Sequence, residues 1–132
     1  MRVLIVRHAE AAPGAPDELR PLTARGRKQA RALGKRLRRD GVHPDAVLTS
    51  PLLRARQTAA ALELGEPAVD ERVAPGASPE AFRDVVLGRG ETVLVVGHQP
   101  DCGRAAAALS GGPAPAFPPC GLAVVELDEH SP

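Results

Sequence analysis

Two short apolar runs stand out in the pattern of the chain, Val3-Leu4-Ile5-Val6 and Val93-Leu94-Val95-Val96. Each stops on a polar group, Arg7-His8 after the first and Gly97-His98-Gln99 after the second. A strand that is apolar at every position, rather than every second one, is covered on both faces, the pattern of a parallel sheet lying between helices. In open sheets of that kind the carboxyl ends of the strands open onto the binding crevice. Both runs therefore deliver a histidine to the place where chemistry is expected.

The rest of the chain alternates helix and strand. Thr23 is placed to cap a helix in which Ala30, Leu33 and Leu37 recur at helical spacing, with Gly41 as its stop. Asp45–Thr49 reads as a strand. Ser50 and Pro51 suit the cap and first position of a helix reaching about Leu62, with Leu52, Ala55, Ala59 and Leu62 facing inward. An edge strand is expected over Val69 to Val73, and Ser78-Pro79-Glu80 opens a short helix to Leu87. Pro100 begins a helix running through Leu109, and Gly121–Leu127 forms the last strand. The Pro- and Gly-rich stretches Ala11–Pro21 and Gly111–Pro119 are loops, and the polar tail from Asp128 is loose. This order predicts a single α/β domain over residues 1–132, with its core at about 2–127. The architecture expected is three-layered, α/β/α, around a mostly parallel sheet with right-handed crossovers.

Composition narrows the field. A chain of 132 residues supports one core and leaves no room for a separate cap domain. A formal charge of +1, no Trp or Tyr and only two Phe argue against nucleic-acid and membrane partners. The first apolar run is too short for a signal peptide, and no stretch approaches the roughly 20 apolar residues of a membrane span. A cytoplasmic monomer with Cys102 and Cys120 reduced is expected. One charge feature is uneven: Arg25, Arg27, Lys28, Arg31, Lys35, Arg36, Arg38 and Arg39 crowd a single helix. Such a run serves as a solvated face or as a docking surface for an acidic protein partner.

Arg7, His8, Arg54 and His98 come from three strand ends predicted to converge. Arg54 and Arg56 lie near a helix start, where free N–H groups already favour an anion. Two arginines and a second histidine suit the three equatorial oxygens of a transferring phosphoryl group, and a neutral histidine beside them can attack phosphorus. Such a phosphatase pocket needs neither metal nor cofactor. A cysteine phosphatase is excluded by spacing, because Cys102 is followed by Gly103, Arg104 and an alanine run, and Cys120 by a strand. His43 and His130, in a turn and the tail, offer no metal-ligand set.

Val6-Arg7-His8-Ala9, Leu22-Thr23 with Gly26, Ser50-Pro51-Leu52-Leu53-Arg54-Ala55 with Gln57-Thr58-Ala59, and Val96-Gly97-His98-Gln99-Pro100 occur in an order that resembles the histidine phosphatase superfamily. That fold is shared with phosphoglycerate mutases. The length and the Arg20-Pro21-Leu22-Thr23 segment are most similar to its small bacterial phosphohistidine phosphatases, the SixA type. The likeness spans about residues 2–127. It implies that His8 is the nucleophile that becomes phosphorylated, and that Arg7, Arg54 and His98 bind the phosphoryl oxygens. Arg56 lies two residues beyond the family's arginine and is expected to be solvated.

Two positions depart from the family. Ala9 stands where Gly is usual, which is costly if the backbone there needs positive φ and tolerable if only close packing is at stake. The general acid of larger members comes from an inserted segment that this chain lacks. Glu80 is the first candidate, with Glu10 and Asp17 behind it. An imidazole leaves a P–N bond with less help than an alkoxide needs, so weak acid machinery favours a phosphohistidine on a signalling or phosphocarrier protein. The alternatives are a phosphomonoesterase acting on a sugar phosphate or nucleotide, and a non-catalytic phosphate-binding or docking module.

Overall fold

The structure, a computed structural model, describes residues 1–128. Five strands form one sheet: β1 (Arg2–Arg7), β2 (Ala46–Thr49), β3 (Pro67–Val69), β4 (Thr92–Gly97) and β5 (Leu122–Glu126). Their order across the sheet is β3-β2-β4-β1-β5, with β5 alone antiparallel. The helices are α1 (Ala24–Arg39), α2 (Leu53–Leu62), α3 (Pro79–Val86) and α4 (Asp101–Ser110).

The two apolar runs are the central strands, and their side chains alternate between faces as the period of two demands. Val3, Ile5, Val93 and Val95 pack with Phe82, Val85, Cys102 and Ala105 from α3 and α4. Leu4, Val6, Leu94 and Val96 pack on the other face with Leu33, Leu37, Ala59 and Leu62 from α1 and α2. All eight strand residues are 1% exposed or less. Burial on this scale stabilises by about 1.5–3 kcal/mol for each large side chain. The expected α/β architecture with helices on both faces is therefore present. Among the described residues no helix is long and apolar enough to cross a membrane.

Several boundaries differ from expectation. α2 starts at Leu53, with Leu52 as its uncapped N-cap, rather than at Pro51. Ser50 accepts from the Leu52 N–H as a cap would, but its own N–H stays in the sheet, donating to Val96 O. The edge strand covers Pro67–Val69 instead of Val69–Val73. Asp70 accepts from Arg72 N and turns Glu71–Val73 into a 3-10 helix that tucks Val73 into the core. Helix α3 ends at Val86, one residue early. The expected loose tail, His130 included, lies outside the described residues apart from Asp128.

Two glycines let α1 lie close to its neighbours. A Cβ at Gly26 would collide with the Glu10 carbonyl, and one at Gly34 with the Leu62 carbonyl that ends α2. Both obstacles are backbone, so neither can yield cheaply. Gly34→Ala should therefore cost about 1–3 kcal/mol in denaturant unfolding, the range for overpacking a close contact. Gly112→Ala, whose Cβ would meet only the Ser110 hydroxyl at 3.6 Å, should leave the midpoint nearly unchanged.

Candidate active site

Parallel pairing brings the two histidines together. Arg7 is in register with Gly97, so His8 and His98 follow on adjacent strands, and His8 N donates to Gly97 O at 3.0 Å. The ring centroids stand 5.3 Å apart and are tilted by 55°. Beyond His8 the chain is pinned from three sides. Ala9 N donates to Thr58 Oγ1 at 2.9 Å, Glu10 N to Gln29 Oε1 at 2.9 Å, and Cys120 N to His8 O at 3.0 Å. Thr58 in turn donates to Arg54 O at 2.8 Å, tying α2 to the end of β1. Ala9 keeps negative φ and its methyl is fully buried beside Leu22 and Ala30, so the fold accommodates it in place of Gly.

These contacts set the chemistry of each ring. His8 Nδ1 lies 2.7 Å from Ala9 O. A carbonyl only accepts, so Nδ1 carries the hydrogen and Nε2 keeps an unshared lone pair. His98 Nε2 lies 2.7 Å from Ser50 Oγ. That hydroxyl already accepts from Leu52 N at 3.1 Å and can donate its proton to Nε2, a tautomer that leaves an N–H at His98 Nδ1.

The arginines are held by backbone. Arg7 Nη1 donates to Phe117 O at 2.9 Å, while its Nε is buried without a partner. A buried N–H left unpaired costs about 1–3 kcal/mol, which a bound oxyanion would relieve. Arg54, 7% exposed, donates through Nη1 to Asp17 O at 2.9 Å and through Nη2 to Asp17 Oδ2 at 3.2 Å. Arg20 Nη1 takes the other Asp17 oxygen at 2.9 Å. One carboxylate thus bridges two guanidinium groups at the mouth of the site.

Burial and positive neighbours together keep both rings neutral. His8 is lowered from 6.5, first by burial and then by Arg54, Arg7 and Arg20, against the opposing pull of the Ala9 carbonyl. His98 is pushed down to about 3 by burial, by His8 and by Arg54. The Asp17 carboxyl is lowered by its hydrogen bond to Arg20, reinforced by Arg54. It is held as an anion and is a poor proton donor.

Arg7, His8, Arg54 and His98 are brought together, as expected from their strand ends. Arg56 is exposed and lines a separate groove with Gln57, Glu66 and Val69. Glu80 lines another groove, with Leu109, Glu126 and Asp128. Because Glu126 is in register with Arg2, that groove lies toward the opposite end of β1 from His8. Glu10 is 3.6 Å from Arg25. His43 is exposed, and no His, Cys, Asp or Glu cluster among the described residues could hold a metal. Sequence reasoning missed Ser50, Thr58 and Arg20 as working parts. All three fell within quoted motifs, but only tertiary contacts give them roles.

The sequence model of the histidine phosphatase superfamily (branch 1) matches residues 3–74. The phosphohistidine phosphatase SixA of Escherichia coli K12 is 36% identical over 98% of this chain and 87% of its own length. The chain belongs to the histidine phosphatase superfamily. An uncharacterised protein of Picosynechococcus is 43% identical over 85% of the chain and 74% of its own. A solved structure of the protein histidine phosphatase SixA complexed with tungstate superposes with a TM-score of 0.88 at 32% identity, covering 98% of this chain and 90% of that one. This histidine phosphatase is thus an enzyme with the phosphoglycerate mutase-like fold expected from its motifs.

Two consequences of the geometry can be measured. Arg54→Ala should lower kcat/KM for phosphate release by about 10²–10³-fold, the usual scale for one preorganised donor. Arg56→Ala should change it less than about twofold under the same assay.

Stability should also follow the histidines. His98 has a folded pKa of about 3 and an unfolded one near 6.5, so between those values only the unfolded chain takes up the proton. Stability is then complete above pH 6.5 and falls as the pH drops toward 3, with His8 and Asp17 acting in the same direction. Denaturant midpoints across that window should decline, and less steeply in His98→Asn.

Proposed function

We propose that the enzyme removes the phosphoryl group from phosphohistidine on a signalling or phosphocarrier protein, through a phosphohistidine intermediate on His8. The observation that carries this reading is the pairing of a free Nε2 on neutral His8 with a cationic pocket in which the carboxylate at hand, Asp17, is held ionised. The site can receive a phosphoryl group but has no evident carboxylic acid to protonate a leaving alkoxide. An imidazole departing from a P–N bond makes a smaller demand. The similar SixA structure is complexed with tungstate, a tetrahedral oxyanion, which supports a protein that receives a phosphoryl group.

In the first step His8 Nε2 attacks phosphorus and forms a P–N bond. The bond to the partner's imidazole breaks, and that ring leaves with its electron pair and takes a proton from solvent. Arg7, Arg54 and His98 hold the three equatorial oxygens, where charge accumulates. In the second step water attacks phosphorus, the bond to His8 Nε2 breaks, and inorganic phosphate departs. His8 is restored as the same tautomer because Nδ1 never leaves the Ala9 carbonyl.

The reading treats residues 1–132 as one catalytic unit and requires no metal or cofactor. Cys102 and Cys120 are free thiols, pushed up to about 12 and about 11 mainly by burial, which suits a reducing, cytoplasmic setting. Phosphate release should be compared on a phosphohistidine peptide and a phosphomonoester of similar size. The expected result is a strong preference for the phosphohistidine, abolished in folded His8→Ala, with phosphate trapped on His8 of the wild type. Preference for the ester would instead favour the small-molecule phosphatase. Activity retained in His8→Ala would overturn the mechanism.

A further inference from the structure

Helix α1 holds eight of the seventeen cationic side chains and none of the sixteen carboxylates. Eight positive charges thus lie on one helix, while nine cations against sixteen acids leave the rest of the chain at minus seven. The formal charge of +1 conceals a strongly polarised molecule. The buried side of α1 is Gly26, Ala30, Leu33, Gly34 and Leu37. At 100° per residue, the opposite side presents Lys28, Arg31, Lys35 and Arg39, all exposed, in a row about 16 Å long.

Only Arg39 of this row, in the last turn, is placed to favour the helix dipole. Arg27/Arg31, Arg31/Lys35 and Lys35/Arg39 are like charges one turn apart, which repel. Arg25 and Arg27 lie in the first turn, where the helix dipole disfavours cations, and that turn carries no acid of its own. Two members of the set do have structural work: Arg38 donates to the carbonyls of Leu62 and Glu63 at the end of α2, and Arg25 pairs with Glu10. Among the described residues no carboxylate pairs with Lys28, Arg31, Lys35 or Arg39.

Helix α1 itself starts beside the site. Thr23 N donates to Glu10 O at 3.0 Å and Gly26 packs on the Glu10 backbone, so the first turn of α1 sits two residues from His8. We propose that the outward face of α1 is the docking surface for the phosphohistidine-bearing protein, which presents an acidic face beside its phosphohistidine. This rests on the reading of the site given above.

Charge complementarity favours a compact acidic protein over other anions. A long polyanion running past α1 meets a remainder of the molecule whose formal charge sums to minus seven. The large exposed apolar side chains are Leu19, Val69, Leu87 and Val124, none of them on α1, so the helix has nothing to insert into a bilayer and no ring for bases to stack on.

The test uses peptides carrying phosphohistidine, a short Gly-Ser spacer and a run of Glu, Ser or Lys. At low salt kcat/KM should fall in the order Glu, Ser, Lys, with roughly tenfold or more between the extremes, and the spread should collapse at high salt. The variant Lys28→Glu/Arg31→Glu/Lys35→Glu should reverse that order, leave the Ser peptide's rate unchanged, and unfold no earlier than wild type. Binding of the unphosphorylated Glu peptide, followed by fluorescence anisotropy, separates docking from catalysis. If no peptide is hydrolysed the proposed function fails, while anisotropy still decides the docking surface. Equal rates and binding for the three peptides, or an unaltered order in the variant, would overturn the proposal. So would tighter binding of double-stranded DNA or anionic phospholipid vesicles through the same row.

Discussion

Six successive residue pairs join β1 to β4 in parallel, from Arg2 with Thr92 to Arg7 with Gly97, and they end level with one another. From that edge one chain turns toward α1 and the other toward α4, on opposite faces of the sheet. The crevice between them is the switch point at which ligands bind in open α/β sheets. Slipping the register by one residue would send every alternating side chain of β1 to the wrong core and part His8 from His98. The burial that holds the sheet together therefore also sets the distance between the two rings.

Around those rings the structure gathers more positive charge than the site can comfortably keep. Arg7 and Arg54 are fastened by backbone carbonyls, which hold direction without neutralising charge. Their field and the low accessibility of the site keep His8 and His98 unprotonated. A neutral imidazole keeps a lone pair available, and burial together with the neighbouring guanidinium groups favours that form of His8. Asp17 tempers this arrangement by bridging Arg54 and Arg20. A phosphoryl group entering the pocket competes with a carboxylate already hydrogen-bonded to both guanidinium groups.

The same economy shows in α1. Gly26 and Gly34 allow the helix to lie against the end of β1 and the end of α2. Close contact on the inner face leaves Lys28, Arg31, Lys35 and Arg39 outward on a helix whose first turn packs against Glu10. If the proposed function holds, an outward row of charge is one means of choosing among phosphorylated proteins.

Much of this was legible in the chain itself. Unbroken apolar runs ending in Arg-His and Gly-His identified the central strands and the site edge, because burial on both faces leaves no room for polar residues. The motif order identified the family, and Arg7, His8, Arg54 and His98 are neighbours at one sheet edge as their strand ends implied. Other features needed three dimensions. The start of α2 shifted because Ser50 remains hydrogen-bonded in the sheet while its hydroxyl faces His98, a contact 48 residues apart in sequence. Glu80 read as an acid because it opens a helix, yet the path of α3 carries it to a groove near the other end of β1. From sequence Asp17 reads only as a candidate acid, yet the short 3-10 helix Asp17–Leu19 within the expected loop sets its carboxylate between Arg54 and Arg20. Sequence determined the elements and the reactive groups, since periodicity and residue chemistry are local. The tautomer of His98, the neutral histidines and the clasp on Arg54 were decided by tertiary structure, since each depends on distances between segments that only packing brings together.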